Sequence, residues 1–266
     1  RLTKTLKVIS NNIFRSKNIA NKNKTFKRKE VKMLELKHIM FERDNKKILN
    51  DINLKIDAGK FIAITGHNGS GKSTLAKIIM GIEKQDSGQV IFEGQDITNK
   101  TIDERARMGI GFAFQQPVKF KGITVLDLIR LSANKKMDRR EACRILSQVG
   151  LCAKEYIDRE VNDSLSGGEL KRIEIALLAV RGSKLCIFDE PEAGIDLWSF
   201  QNLIQVFEDI QSRKNRSTLI ISHQERILKI ADEIILMKDG EIQEIGRPED
   251  ILKEENAQVP CCKIQY

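Results

Sequence analysis

The chain has 266 residues, 41% hydrophobic and 31% charged, enough to bury a substantial core as one large domain or as a main domain with a smaller insertion. No run of about 18 or more uncharged apolar residues occurs in it, so the sequence predicts no membrane-spanning helix. The formal net charge of +9 invites a nucleic-acid partner, but residues 1–32 carry 11 Lys and Arg against the single acid Glu30 and the rest is close to neutral, so no nucleic acid is expected.

Residues 1–32 are rich in Asn and Lys, show no periodic apolar face and stop just before Met33, where patterned sequence begins. They read as a leader or upstream segment without fold, the alternatives being a basic arm for an acidic surface and an organellar targeting segment. Met33 reads as the start of the protein proper. From there strands and helices alternate, as in an α/β fold. Residues 34–41 and 48–56 predict short strands around a polar turn at 43–47, with His38 in an edge-like strand and no chemical role. Phe61-Ile62-Ala63-Ile64-Thr65 is an apolar run suited to a buried parallel strand, and a glycine-rich loop follows directly. Leu75, Ile78 and Ile79 then recur at helical spacing over 74–80, with Gly81 as a stop.

Residues 89–92 and 110–114 predict further strands, whereas 125–151, charged, glycine-poor and helical in period, predicts an inserted helical subdomain. Beyond it, 185–188, 218–222 and 233–237 are buried-strand candidates separated by helical segments such as 197–211. Cys143, Cys152, Cys186, Cys261 and Cys262 form no spaced disulfide framework, which fits a reducing, cytoplasmic compartment. Cys261-Cys262 reads as part of a free tail, with metal binding as the alternative; Cys186 reads as a small buried residue of its strand.

Gly66-His67-Asn68-Gly69-Ser70-Gly71-Lys72-Ser73 fits G-x-x-x-x-G-K-[ST] between a predicted strand and a predicted helix. Glycines let backbone N–H groups turn inward around phosphates, and the helix N-terminus adds its partial positive charge. Lys72 is expected to reach the β- and γ-phosphates of a nucleoside triphosphate and Ser73 to ligate magnesium, with Thr74 next on the helix. Asp189 and Glu190 end the apolar run Leu185-Cys186-Ile187-Phe188: Asp189 is expected to hold magnesium, and Glu190 to polarise the attacking water as general base. Ser166-Gly167-Gly168-Glu169 opens a helix and offers a second anion-binding end. His67 sits at a variable loop position and is given no role.

Together with Gln115 before Pro117, Gly194-Ile195-Asp196 after the acids and His223 at a strand end, this set resembles the ATP-binding cassette ATPases over about residues 33–255. The resemblance implies a P-loop NTPase cassette with a mixed sheet core, an N-terminal antiparallel β-subdomain and an α-helical subdomain inserted at about 118–180, followed by a tail at 256–266. It implies hydrolysis of ATP with Mg2+ in a head-to-tail homodimer, where each ATP lies between one chain's 66–73 loop and the other's Ser166, Gly167, Gly168 and Glu169. Gln115 resembles the glutamine that senses magnesium, Asp196 the aspartate that communicates across the dimer, and His223 the histidine that contacts the γ-phosphate. The aromatic that stacks on adenine in this family, expected near Arg43, is missing; Phe41 is expected in the core, and the Arg43 guanidinium is the substitute.

Residues 112–118, Arg159-Glu160-Val161-Asn162, 168–174 and 223–228 further resemble the C-subunit ATPase of the Suf iron–sulfur cluster assembly system, which implies a soluble scaffold partner. Leu165 and Pro191 depart from that subunit's pattern and match transporter cassettes, which implies instead a separate membrane permease, with the chain peripheral to the membrane. Either partner is expected to use the groove near Gln115 and the helical insertion. A module that holds ATP without turning it over is a third reading, opposed by Glu190 and His223.

Overall fold

The structure, a computed structural model, describes residues 32–133, 136–212 and 216–257. The basic head, apart from Lys32, and the Cys261-Cys262 tail lie outside the described residues.

Among the described residues, ten strands form two sheets. β1 (Lys32–Arg43), β2 (Lys46–Asp57), β4 (Ser87–Phe92) and β5 (Gln95–Asp96) pair antiparallel in the order β2-β1-β4-β5. β3 (Phe61–Thr65), β6 (Ile110–Ala113), β7 (Leu185–Asp189), β8 (Ser217–Ile221) and β9 (Glu233–Lys238) pair parallel, and β10 (Glu241–Gly246) adds an antiparallel edge, giving the order β10-β9-β3-β8-β7-β6. Every residue of β3, β6, β7 and β8 is buried, as expected for parallel strands covered on both faces.

The period of two sorts those residues between two cores. Ile62, Ile64, Leu185, Ile187, Leu219 and Ile221 face a cluster shared with β1, β2, β4 and helix α1 (Lys72–Met80). Phe61, Ala63, Cys186, Phe188 and Ile220 face the other cluster. That second core is completed by the helices α3 (Val125–Ala133), α4 (Arg139–Gln148), α6 (Gly167–Arg181) and α7 (Leu197–Ser212). The 125–151 stretch divides into α3 and α4, where the Asp138 side chain caps α4 by accepting the Glu141 N–H at 2.6 Å; the one-turn α5 (Ala153–Tyr156) follows. No described helix is long and apolar enough to cross a membrane.

The edge-like reading of β1 is corrected, because β1 lies between β2 and β4. Its second neighbour arrives from about 50 residues downstream, so no local pattern announces it. His38 stands where both pairings shift register, at φ 50, with an exposed side chain whose Nδ1 lies 2.7 Å from Asp51 Oδ1.

Helix α2 (Ile102–Met108) was not anticipated from the pattern of apolar residues, and its capping box of Thr101 and Glu104 was the available signal. α2 delivers Arg105, 1% exposed, to the C-terminal end of α1. The guanidinium donates to Ile78 O (2.7 Å), Ile79 O (2.9 Å), Thr98 O (3.0 Å) and Lys100 O (3.1 Å), satisfying carbonyls at the end of the helix that begins at the glycine loop. Arg105→Ala is expected to lower the unfolding free energy by about 3 kcal/mol. In a thermal melt the midpoint should drop by on the order of 10 °C.

Candidate functional site

The parallel strands β3, β7 and β8 end on one side of the sheet, and the residues that follow them meet there. Thr65 leads into the 66–71 turn, with α1 starting at Lys72. Gly66 has φ 133, and a Cβ on it would stand 1.9 Å from Met237 O of β9. The Lys72 side chain is buried across the loop, its Nζ donating to Gly66 O at 2.7 Å and His67 O at 2.8 Å. Burial lowers its pKa, opposed by the charges of Glu190 and Asp189.

Ser73 Oγ donates to Asp189 Oδ1 at 2.9 Å, bringing together a hydroxyl and a carboxylate from α1 and β7. Burial raises the Asp189 pKa, and the Ser73 hydrogen bond opposes the rise. Glu190 adopts φ 46, a left-handed conformation disfavoured for a side-chain-bearing residue, and its N–H donates to Ile221 O at 3.0 Å. Its Oε2 accepts Gln115 Nε2–H at 2.7 Å, and Oε1 lies 4.0 Å from His223 Nε2. A cavity of about 430 Å³ runs along Asn68, Gly69, Gly71, Lys72, Ser73, Thr74, Gln115 and Glu190, with Lys46 and Ile48 of β2 on its rim. A second, of about 630 Å³, is lined by Gly66, His67, Asn68 and His223. Ser70 Oγ is buried without a hydrogen-bond partner.

Ser166, Gly167, Gly168, Glu169 and Asp196 do not line these cavities. Ser166 caps α6, accepting the Glu169 N–H at 3.3 Å, while Glu169 accepts the Ser166 N–H at 2.7 Å and the Tyr156 hydroxyl. Glu169 is thereby engaged in holding the turn, with Tyr156 as a partner that sequence reasoning missed. Gly168 packs against the Asp196-bearing turn, a Cβ there standing 2.8 Å from Gly194 O. Phe41 is buried, as expected. Arg43 lies over the Phe41 ring at 5.5 Å and donates to Glu83 at 2.8 Å, in a cavity separate from the phosphate loop.

Two charged residues of α6 were given no role by sequence reasoning. Lys171, 1% exposed, donates to the carbonyl oxygens of Phe114, of Gln115 (3.1 Å) and of Asp189 (3.3 Å), pinning the segment with the glutamine to the strand with the acids. Glu174 accepts the Phe114 N–H at 3.0 Å, and its Oε2 is buried without a partner. Their signal was a pair of charges on a helix face otherwise filled by Leu170, Ile173 and Leu178.

Burial raises the Glu174 pKa to about 7 from an ordinary 4.5, against the lowering effects of the Phe114 N–H and Lys171. A carboxyl with a raised native pKa binds more protons folded than unfolded between the two values, so stability falls as pH rises from 4.5 towards about 7. Glu174→Gln is therefore expected to be about 2 kcal/mol more stable than wild type at pH 8. Near pH 4.5 the difference should vanish. Urea unfolding at several pH values checks this, and parallel curves for the two proteins would refute it.

The fold and the converged lysine, hydroxyl and carboxylates define a phosphate-binding P-loop protein. The model of the ABC transporter family matches residues 49–193. An uncharacterized ABC transporter ATP-binding protein of Methanocaldococcus jannaschii is 39% identical over 83% of this chain and 91% of its own length. A probable ATP-dependent transporter of Antithamnion sp. is 35% identical over 84% of this chain and 94% of its own. The ADP conformation of an ATP-binding cassette of an ABC transporter superposes with a TM-score of 0.71 at 29% identity, over 86% of this chain and 96% of that one. The chain belongs to the ABC transporter family, as an ATP-binding cassette of that family of ATPases.

Proposed function

We propose that this chain hydrolyses ATP in a head-to-tail homodimer and so powers a separate membrane permease, to which it binds peripherally from the cytoplasm. The observation that carries the ATPase reading is the convergence of Lys72, Ser73, Asp189, Glu190, Gln115 and His223 at the strand ends. Lys72 would bind the β- and γ-phosphates, His223 the γ-phosphate, and Glu190 would take the proton of the attacking water. Ser73 and Asp189, already in contact, are hard oxygen donors of the kind magnesium requires, and with Gln115 would hold the ion. Magnesium would neutralise charge on the transferred phosphoryl group. The separation of Ser166, Gly168 and Asp196 from the chain's own phosphate loop supports their use on a second copy's nucleotide.

The name of the Methanocaldococcus jannaschii relative, an ABC transporter ATP-binding protein, supports transport over assembly. A groove of about 210 Å³ lined by Phe112, Phe114, Val118, Phe120, Leu128 and Leu177 lies beside Gln115's segment, with Val118 48% and Phe120 38% exposed. It is the surface on which an apolar segment of the permease would seat. The Suf-type reading, with a soluble scaffold as partner, rests on residues 112–118 and on the stretches around Arg159, Lys171 and His223. Affinity purification of the native protein with mass spectrometry separates the two. An integral membrane protein recovered by wild type and lost in Phe120→Asp supports the permease; a soluble scaffold recovered and lost in the same way overturns it in favour of assembly.

A further inference from the structure

Glu192 lies two residues after Glu190 and four before Asp196, in the turn between β7 and α7. Its Oε1 accepts the Ser222 hydroxyl at 2.5 Å, its carboxylate also receives the backbone N–H of His223, and its Oε2 is buried without a partner. Burial raises its pKa, opposed by Ser222 and the His223 N–H and reinforced by the charge of Glu190. One of its two carboxylate oxygens is therefore buried unpaired, at a cost in free energy.

Apart from its own backbone N–H, its partners belong to the segment that carries the histidine. Ser222 is fully buried; its N–H donates to Ile64 O at 3.2 Å, and its Oγ accepts the Gln224 N–H at 3.0 Å. The serine's one hydroxyl proton goes to Glu192, so the residues on both sides of His223 are oriented by that carboxylate. On the other side, Glu192 belongs to a tight turn in which the Ala193 N–H donates to Glu190 O and the Ile195 N–H to Glu192 O, both at 3.1 Å. Gly194 of the same turn rests against Gly168 at the head of α6.

We propose that Glu192 is a positioning residue for His223, and that through it the turn bearing Asp196 governs where that histidine sits. The inference rests on the reading of His223 as the γ-phosphate contact and of Asp196 as a contact to a second copy. On that reading one side chain joins the surface addressed to the partner's nucleotide with the residue that serves the chain's own. Docking of a second copy against Asp196 would move the Glu192 backbone within a single turn, and the hydrogen bonds to Ser222 and His223 would carry the displacement to the imidazole.

The test is a double-mutant cycle on ATP turnover by the purified full chain. Glu192→Ala is expected to lower kcat by about tenfold or more with KM for ATP changed less than about threefold. Glu192→Gln, whose amide oxygen can still accept both bonds, should keep kcat within about threefold of wild type. The double variant Glu192→Ala/His223→Ala should be no slower than His223→Ala alone, and Glu192→Ala should lose any sigmoidal dependence on ATP that wild type shows. A double variant slowed by the product of the single effects, or a Glu192→Ala variant with wild-type kcat, overturns the proposal. Should Glu192→Ala not fold, Ser222→Ala goes through the same cycle with the same outcomes required. Absence of turnover in wild type that still binds ATP would sink the hydrolysis reading and this proposal together, whereas turnover with an additive cycle sinks this proposal alone.

Discussion

Replacing Glu190 by glutamine is expected to lower ATP turnover by at least about a hundredfold while leaving ATP binding in place, because a general base contributes on that scale and an amide cannot accept the proton of water. The substitution preserves shape. Glu190 is held by its N–H on Ile221 O at 3.0 Å, and its Oε2 accepts from Gln115 at 2.7 Å; an amide oxygen can accept the same bond. With binding intact and hydrolysis blocked, the ATP-bound homodimer should accumulate. Phosphate release measures the first effect, and size-exclusion chromatography with and without ATP the second. Unchanged steady-state turnover in Glu190→Gln would end the assignment of Glu190 as base.

Gly66→Ala is expected to destabilise the fold by on the order of 3 kcal/mol or more and to weaken ATP binding at least about tenfold. Two causes act together. The residue has φ 133, which L side chains rarely adopt, and the new Cβ would fall 1.9 Å from Met237 O. That oxygen belongs to the backbone of β9, which pairs with β3 through Thr65 and Leu236, so it cannot turn aside as a side chain would. Gly69 provides the contrast: it has φ 83, yet a methyl added there would meet nothing within 4 Å. Gly69→Ala should therefore cost only the strain of the left-handed conformation, about 1–2 kcal/mol. Urea unfolding of both variants and an ATP-binding titration check the pair, and equal losses would show that β9 does not dictate Gly66.

The same comparison separates what was legible in sequence from what was not. The strands at 61–65, 185–189 and 217–221 were readable as apolar runs, and the phosphate loop as a fixed spacing of glycines, lysine and serine, because those signals are contained within a few neighbouring residues. Helix α2 escaped notice because it is seven residues long and Arg105 is its only buried residue. β10 escaped because its half-exposed alternation lacks the apolar run that marked the parallel strands.

By itself the sequence determined the order of the candidate-site residues, the strand–loop–helix unit that carries Lys72 and Ser73, and the two acids at a strand end. Each depends on short-range periodicity and on local backbone preferences. Tertiary structure alone decided that β1 is an inner strand, that Glu169 and Tyr156 secure the turn opening α6, and that Lys171, Glu174 and Glu192 are charged groups taken largely out of water beside the site. It also decided that Gly66 is closed in by the backbone of Met237. The physical reason is common to all of these. Burial of a charge and close approach of two backbones depend on which segments, distant along the chain, pack against each other, and no local pattern encodes that choice.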